Sequence, residues 1–185
     1  MWINQESRGF VIVEKEALVG VLEGICREYD MPLLAARGYP SGSVLREFAV
    51  EQIRPAMRAD QHVVVFHLGD HDPSGIDMTR DLEERLSMFS HQRVTVRRLA
   101  LNMPQIEELD PPENPAKQTD SRFEGYAALY GESSWELDAL SPTFLADLIR
   151  EEVAQIIDAD SWREIEDEIE DVKARLTVVS DDFEE

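Results

Sequence analysis

A single cysteine, Cys26, leaves no intrachain disulfide and no cysteine-built zinc site within reach of this chain. No stretch approaches the ~18 consecutive apolar residues of a membrane-spanning helix. The opening MWINQESRGF has no basic segment followed by an apolar run, so it does not read as a secretory signal. Together these absences point to a cytoplasmic protein that does not enter the membrane. Basic residues are also scarce: 18 Lys and Arg face 39 Asp and Glu, for a net charge of −21. A chain this acidic does not coat a phosphate backbone by charge neutralisation. Contact with nucleic acid would need a divalent cation, a local basic patch or a second polypeptide to offset the repulsion. Neither the G-x-x-x-x-G-K-[ST] nor the G-x-G-x-x-G phosphate loop is present.

What is present suffices for a packed core. The chain has 185 residues, of which 43% are hydrophobic, matching one domain with a helical appendage. Phe10–Val13 is a β-branched run of a buried strand, and Lys15–Tyr29 follows with apolar residues at helical spacing. Met31–Ala36 is a second short apolar run. The turn RGYPSGS comes next, and Ser43 is expected to cap a helix reaching Met57. Gln61–Leu68 is the clearest strand, GDHDPSG a tight polar loop, Ile76–Phe89 a helix and Val94–Leu101 a fourth strand. Strands alternating with helices over short connections imply an α/β fold. Its four-stranded sheet is mainly parallel, doubly wound, in the order 2-1-3-4 and covered by helices on both faces.

Beyond Leu101 a short helix is expected at Met103–Leu109, then a proline-rich loop over Asp110–Arg122. Ser141-Pro142 forms a helix start, and two acidic helices follow near Thr143–Ile157 and Ser161–Leu176. The second carries an apolar stripe of Trp162, Ile165, Ile169, Val172 and Leu176. Asp181–Glu185 is expected to fray. From Glu136 to the end, 17 acidic residues face 4 basic ones. The expected division is an α/β unit over 8–132, including the loop 110–122, and an acidic helical extension over 133–178. The C-terminal helices are candidates for pairing with a second copy of the chain.

Two places carry candidate chemistry: Glu14 at the end of the first strand, and Asp70 and Asp72 just past the third. In an open parallel sheet, ligands sit at the carboxyl ends of strands where the winding direction reverses. Three hard oxygen donors there would suit magnesium or manganese rather than zinc. The plainer alternative is a solvated or helix-capping glutamate beside an Asp-x-Asp turn. Lys15 is expected to face away from Glu14 on the surface, and Asp77 to serve the helix dipole. His67 is expected in the core, with His71 turned away from the aspartates. Lys117, Asp120 and Arg122 in the proline-rich loop could line the site and clamp a phosphate.

The segments VEKEAL, RGYPSGS and GDHDPSGIDM, at these separations, resemble the Toprim domain. The resemblance is nearest to the Toprim domain of the topoisomerase VI A-subunit and meiotic double-strand-break family, and to uncharacterised Toprim-like proteins of phages and mobile elements. It covers roughly Val11–Leu101, and RLALNMPQIEEL, NPAKQTDSR and WELDAL extend it to about residue 158. It implies a Rossmann-like Toprim fold in which Asp70 and Asp72 bind magnesium and Glu14 is a metal ligand or a general acid/base. It further implies an enzyme of phosphoryl transfer on DNA, a nuclease or a topoisomerase-like protein. In topoisomerase VI-type proteins the nucleophilic tyrosine sits on a winged-helix domain before the Toprim domain. Here about ten residues precede the first strand, and Tyr29, Tyr39, Tyr126 and Tyr130 match no such position. The expectation is therefore a DNA-binding, magnesium-dependent protein that works with a tyrosine-bearing winged-helix domain or subunit, or by metal-assisted hydrolysis. The rival expectation is a non-catalytic metal-binding module whose acidic tail docks a basic partner.

Overall fold

The computed structural model describes residues 1–182, with side-chain environments to residue 177. Four β-branched or leucine-rich segments form one sheet: β1 (Ser7–Val13), β2 (Leu33–Ala35), β3 (His62–Leu68) and β4 (Thr95–Ala100). All neighbours are parallel and the order is β2-β1-β3-β4, as the sequence implies. Successive side chains alternate between the faces. Val11 and Val13 of β1, with Val64, Phe66 and Leu68 of β3, build one core. Phe10 and Ile12, with Val63 and Val65, build the other.

Helices α1 (Val19–Glu28) and α7 (Pro142–Ala154) cover the first face with Leu22, Ile25, Leu145, Ile149 and Val153. The second face is covered by α2 (Gly42–Phe48), which continues through a π-helical turn (Ala49–Ile53) into α3 (Arg54–Arg58), and by α4 (Pro73–Ser90). The chain thus leaves β1 to one side, forms β2, and crosses to β3 on the other face. That reversal places the carboxyl ends of β1 and β3 side by side.

Two helix starts differ from the sequence expectation. Ser41, not Ser43, caps α2. Its backbone is extended and its Oγ accepts from the Val44 N–H at 3.2 Å, while the Ser43 hydroxyl merely meets Ser41 Oγ. Helix α4 begins three residues before Ile76, because Asp72 is its cap and Pro73 takes the first position, where a missing N–H costs nothing.

After β4 come α5 (Met103–Leu109), β5 (Glu113–Pro115), α6 (Phe123–Tyr130) and β6 (Ser133–Trp135). Strands β5 and β6 pair antiparallel on either side of α6, so the proline-rich segment contributes one strand of a small two-stranded sheet rather than being a bare loop. Pro115 is tolerated because this is an edge pairing. The expected boundary at 132/133 falls between these two paired strands, just before β6. Last, α8 (Ala159–Asp182) is a long acidic helix, with Trp162 packed edge-on against Trp2 at 5.2 Å. Of the segment expected to fray, everything past Asp182 lies outside the described residues. Among the described residues, no helix is long and apolar enough to cross a membrane.

Candidate metal and proton-transfer site

The site grows from the last residues of β1 and β3. The ladder between them runs one step past the strands, with the Glu14 N–H donating to Leu68 O at 2.9 Å. Gly69 follows, and its lack of a side chain leaves the space that Glu14 occupies. A Cβ there would lie 2.8 Å from Glu14 Oε2 and 3.1 Å from His67 Nε2. The carboxylate of Glu14 fills that space and accepts from the Asp70 N–H at 3.0 Å. Burial pushes the Glu14 carboxyl up to about 7. The Asp70 charge adds to the shift, as does that of Asp72, against the Asp70 N–H and Arg98. A carboxyl poised there can hold or release a proton near neutral pH.

Asp70 is buried, and its Oδ1 accepts from the Leu137 N–H at 2.7 Å. The Lys15 ammonium lies 3.4 Å from the same oxygen. Burial raises the Asp70 carboxyl, and Leu137 and Lys15 oppose that rise. Asp72 turns to its own helix, accepting from the Gly75 N–H at 2.6 Å and from Ser74 Oγ at 3.1 Å. Gly75 is an obligatory glycine, since a Cβ would stand 2.2 Å from the Asp70 carbonyl oxygen.

Two cations hold this loop, one that sequence reasoning missed and one that it placed on the surface. Arg98 of β4 lies beneath it and donates to the carbonyls of Gly69 (2.9 Å), Asp70 (2.5 Å) and Gly75 (2.8 Å). Burial lowers its guanidinium to about 10, against the pull of Glu14, Asp72 and Asp70, so it stays charged at neutral pH. The only hint in the sequence is a basic pair, Arg97-Arg98, inside an otherwise apolar strand. Lys15 corrects the expectation of a surface residue. It faces away from Glu14 only to enter a cluster of Asp70, Glu136 and Asp138, supplied by the segment between β6 and α7. Burial alone would lower the ammonium, but Glu136 and Asp70 outweigh it and raise it above the usual lysine range.

The two histidines stay neutral. Burial and then Arg98 push His67 down to about 3, while its Nδ1 meets Thr79 Oγ1 at 2.9 Å and its Nε2 has no partner. His71 is pushed down to about 4, mainly by burial. It packs against Tyr126, Tyr130 and Trp135, with Nδ1 2.9 Å from the Tyr126 hydroxyl.

The loop residues divide. Asp120 Oδ1 accepts from the Arg122 N–H at 2.8 Å, and Arg122 Nε donates to Asp77 at 2.9 Å. Asp77 also accepts from the Tyr39 hydroxyl at 2.6 Å and from Arg80 at 2.8 Å, and these donors, Arg80 first, hold its carboxyl down at about 2. It is the centre of a polar cluster rather than a dipole partner alone. Arg122 lies over the Tyr39 ring at 4.9 Å. Lys117 is exposed and contributes only its carbonyl, to the Asp120 N–H. Between α4 and α6, an open groove of about 520 Å³ is lined by Pro73, Ile76, Arg80, Arg122 and Tyr130.

The three candidate carboxylates therefore lie together at the carboxyl end of the sheet, where Asp70 and Asp72 raise the proton affinity of Glu14. Among the described residues, no group of three or more His, Cys, Asp or Glu side chains is arranged to hold a metal ion as it stands. Asp72 is committed to its helix cap, and Asp70 to Leu137 and Lys15. The donors fit a hard cation in kind, being all carboxylate oxygen, and Glu14 is raised first by burial and then by the Asp70 and Asp72 charges, which a cation would offset. Compared with known proteins, the chain matches no family model, and no curated protein is significantly similar to it.

Proposed function

We propose that this chain performs magnesium- or manganese-dependent phosphoryl transfer on nucleic acid, as a Toprim-type nicking or cleaving enzyme, with Asp70 and Asp72 holding the ion and Glu14 beside them as a third ligand or as the proton carrier. The observation that carries the reading is the Glu14 carboxyl, titrating near 7 at the winding reversal of the sheet, with Asp70 and Asp72 beside it. The Toprim-like motifs supply the substrate class. A bound magnesium ion would neutralise the scissile phosphate and polarise the attacking and leaving oxygens. As the proton carrier, Glu14 takes a proton from the attacking hydroxyl or water, or returns one to the leaving oxygen. Arg98 holds the loop carbonyls so that the carboxylates keep their positions. Arg80 and Arg122, on the groove beside α4, are the nearby cations that a DNA backbone could meet. The attacking group is water, or a tyrosine on a partner domain or subunit.

The test is nicking of supercoiled plasmid with magnesium or manganese, beside Glu14→Gln. Cleavage by wild type, lost by roughly 10²–10⁴-fold in the mutant, supports the reading. No cleavage with either metal, together with no manganese binding by calorimetry, overturns it. A second reading has its own observation. The chain itself neutralises Asp70 through Lys15 and Leu137, and Asp72 through the N-terminus of α4, which suits a non-catalytic module. Metal binding without cleavage favours that second reading.

A further inference from the structure

Helix α8 spans 24 residues, about 36 Å at 1.5 Å per residue. Only its base is tied to the domain. Trp162 and Ile165 are buried, with Trp162 against Trp2 and Tyr29, and Ile169 is half-buried. Val172 and Leu176 are 50% and 63% exposed. The spacing of the five is three, four, three, four, the a/d repeat of a coiled coil, and in the sequence it continues to Val179 and Phe183. An amphipathic surface helix facing its own core needs a wider stripe than this two-in-seven seam.

The charges flanking the seam say what covers it. With Ile169 and Leu176 at a and Val172 at d, Glu168 and Arg175 fall at g and Lys173 at e. The span 159–182 has three basic residues, and two of them, Lys173 and Arg175, are these flanking positions. The b, c and f positions from 163 to 171 (Arg163, Glu164, Asp167, Glu170 and Asp171) are all charged. In a parallel two-stranded coil, each g residue faces the e residue of the next heptad on the partner. Glu168 of one copy then meets Lys173 of the other, twice by symmetry, the ammonium turning from its exposed 2.7 Å pair with Glu170 on its own helix. We infer that the outer part of α8 is a parallel, in-register coiled-coil seam that joins two copies of this chain. This inference does not depend on the catalytic reading.

Sedimentation velocity of the full chain over the micromolar range tests it. Wild type shifts from monomer to dimer as concentration rises, whereas Leu176→Asp remains monomeric. The circular dichroism of the globular part is unchanged, because Leu176 lies outside the core. Lys173→Glu weakens the dimer roughly twofold to fivefold by losing two exposed pairs, and Glu168→Lys added to it restores the affinity. Leu176→Cys cross-links to itself on mild oxidation, since an a residue meets its own copy only in a parallel, in-register pair. Cys26 is buried and does not compete. A chain that stays monomeric at every concentration overturns the inference, as does a dimer indifferent to Leu176→Asp. A dimer whose Leu176→Cys form fails to cross-link overturns the parallel arrangement.

Discussion

This chain is acidic in two places, and the two behave differently. At the carboxyl edge of the sheet, the carboxylates of Glu14, Asp70 and Asp72 are few, partly or wholly out of solvent, and tied to named partners: a backbone N–H each and, for Asp70, a lysine. Along α8 they are many and exposed, and their ion pairs lie three or four residues apart within one helix. In low dielectric each charge must be matched or it shifts its proton affinity, whereas in water the same charge is screened. Net charge therefore says little about where charge matters in this molecule. Burial decides it, and the two regions can be set against each other by experiment.

The largest contrast comes from one substitution at two sites. Arg98→Met removes the guanidinium that satisfies the carbonyls of Gly69, Asp70 and Gly75 and leaves the carboxylates above without their buried counter-charge. Breaking a buried charge network of this kind costs about 3–5 kcal/mol. Urea denaturation of Arg98→Met should show a loss on that scale. A loss below about 1 kcal/mol, the ordinary range of surface pairs, would mean that water takes over the role of the arginine.

The next effect is a dependence on pH. Glu14 titrates near 4.5 when unfolded and near 7 when folded, so between those values the folded state holds one more proton. Stability from this group is then full below about pH 4.5 and declines as pH rises towards 7. His67 and His71 act oppositely. Their folded values, about 3 and about 4, lie below the unfolded 6.5, so they favour folding as pH rises to about 6.5. The two trends overlap, and the difference between wild type and Glu14→Gln isolates the glutamate. Relative to the mutant, metal-free wild type should lose on the order of 2 kcal/mol across this window, after allowance for solvent screening. Melting temperatures against pH measure it. A flat difference would return Glu14 to the solvated residue that the sequence allowed.

A smaller effect separates the two functional readings. Lys15 sits 3.4 Å from Asp70 Oδ1, where a bound cation would compete with it. If Asp70 is a metal ligand, Lys15→Met should tighten manganese binding, by about fivefold for a pair between a partly exposed lysine and a buried carboxylate worth roughly 1 kcal/mol. Calorimetry against wild type reads this directly. Weaker or unchanged binding would mean that the ammonium is the resident cation of a closed cluster.

Much of the fold was legible because its signals are local. Val11-Ile12-Val13 and Val63–Phe66 are buried on both faces, and short connections between alternating elements leave few topologies. Glu14, Asp70 and Asp72 were legible for the same reason, each lying just past a clear strand. The residues that organise the site were not. Lys15 meets Glu136 across 121 positions of sequence, and no periodicity reports a contact of that span. Arg98 reads as a polar interruption until the loop folded over it is seen. Strands β5 and β6 are three residues each, too short for a repeating pattern, and they position the segment that delivers Leu137 to Asp70. Ser41 and Ser43 obey the same capping rule, and only the helix start chooses between them.

The smallest effect completes the comparison. Arg163 pairs with Asp160 at 3.3 Å, with 69% and 91% of the two side chains exposed. It lies at an outer position of α8, away from both the core and the apolar seam, so Arg163→Met tests exposed charge alone. The pair spans three residues of one helix, is reached by solvent on all sides, and exchanges hydration for attraction at nearly equal cost. Arg163→Met should change stability by about 0.5 kcal/mol or less, an order of magnitude below the same substitution at Arg98. What remains of the effect should vanish in molar salt, where the screening length falls to about 3 Å. The loss at Arg98 should largely persist there, because a partly buried guanidinium bonded to three carbonyls is screened much less than a surface pair. Urea denaturation of both mutants at low and high salt gives the four numbers. If salt erased both effects alike, the sheet edge would be a solvated surface like α8, and the distinction between the two acidic regions would fail.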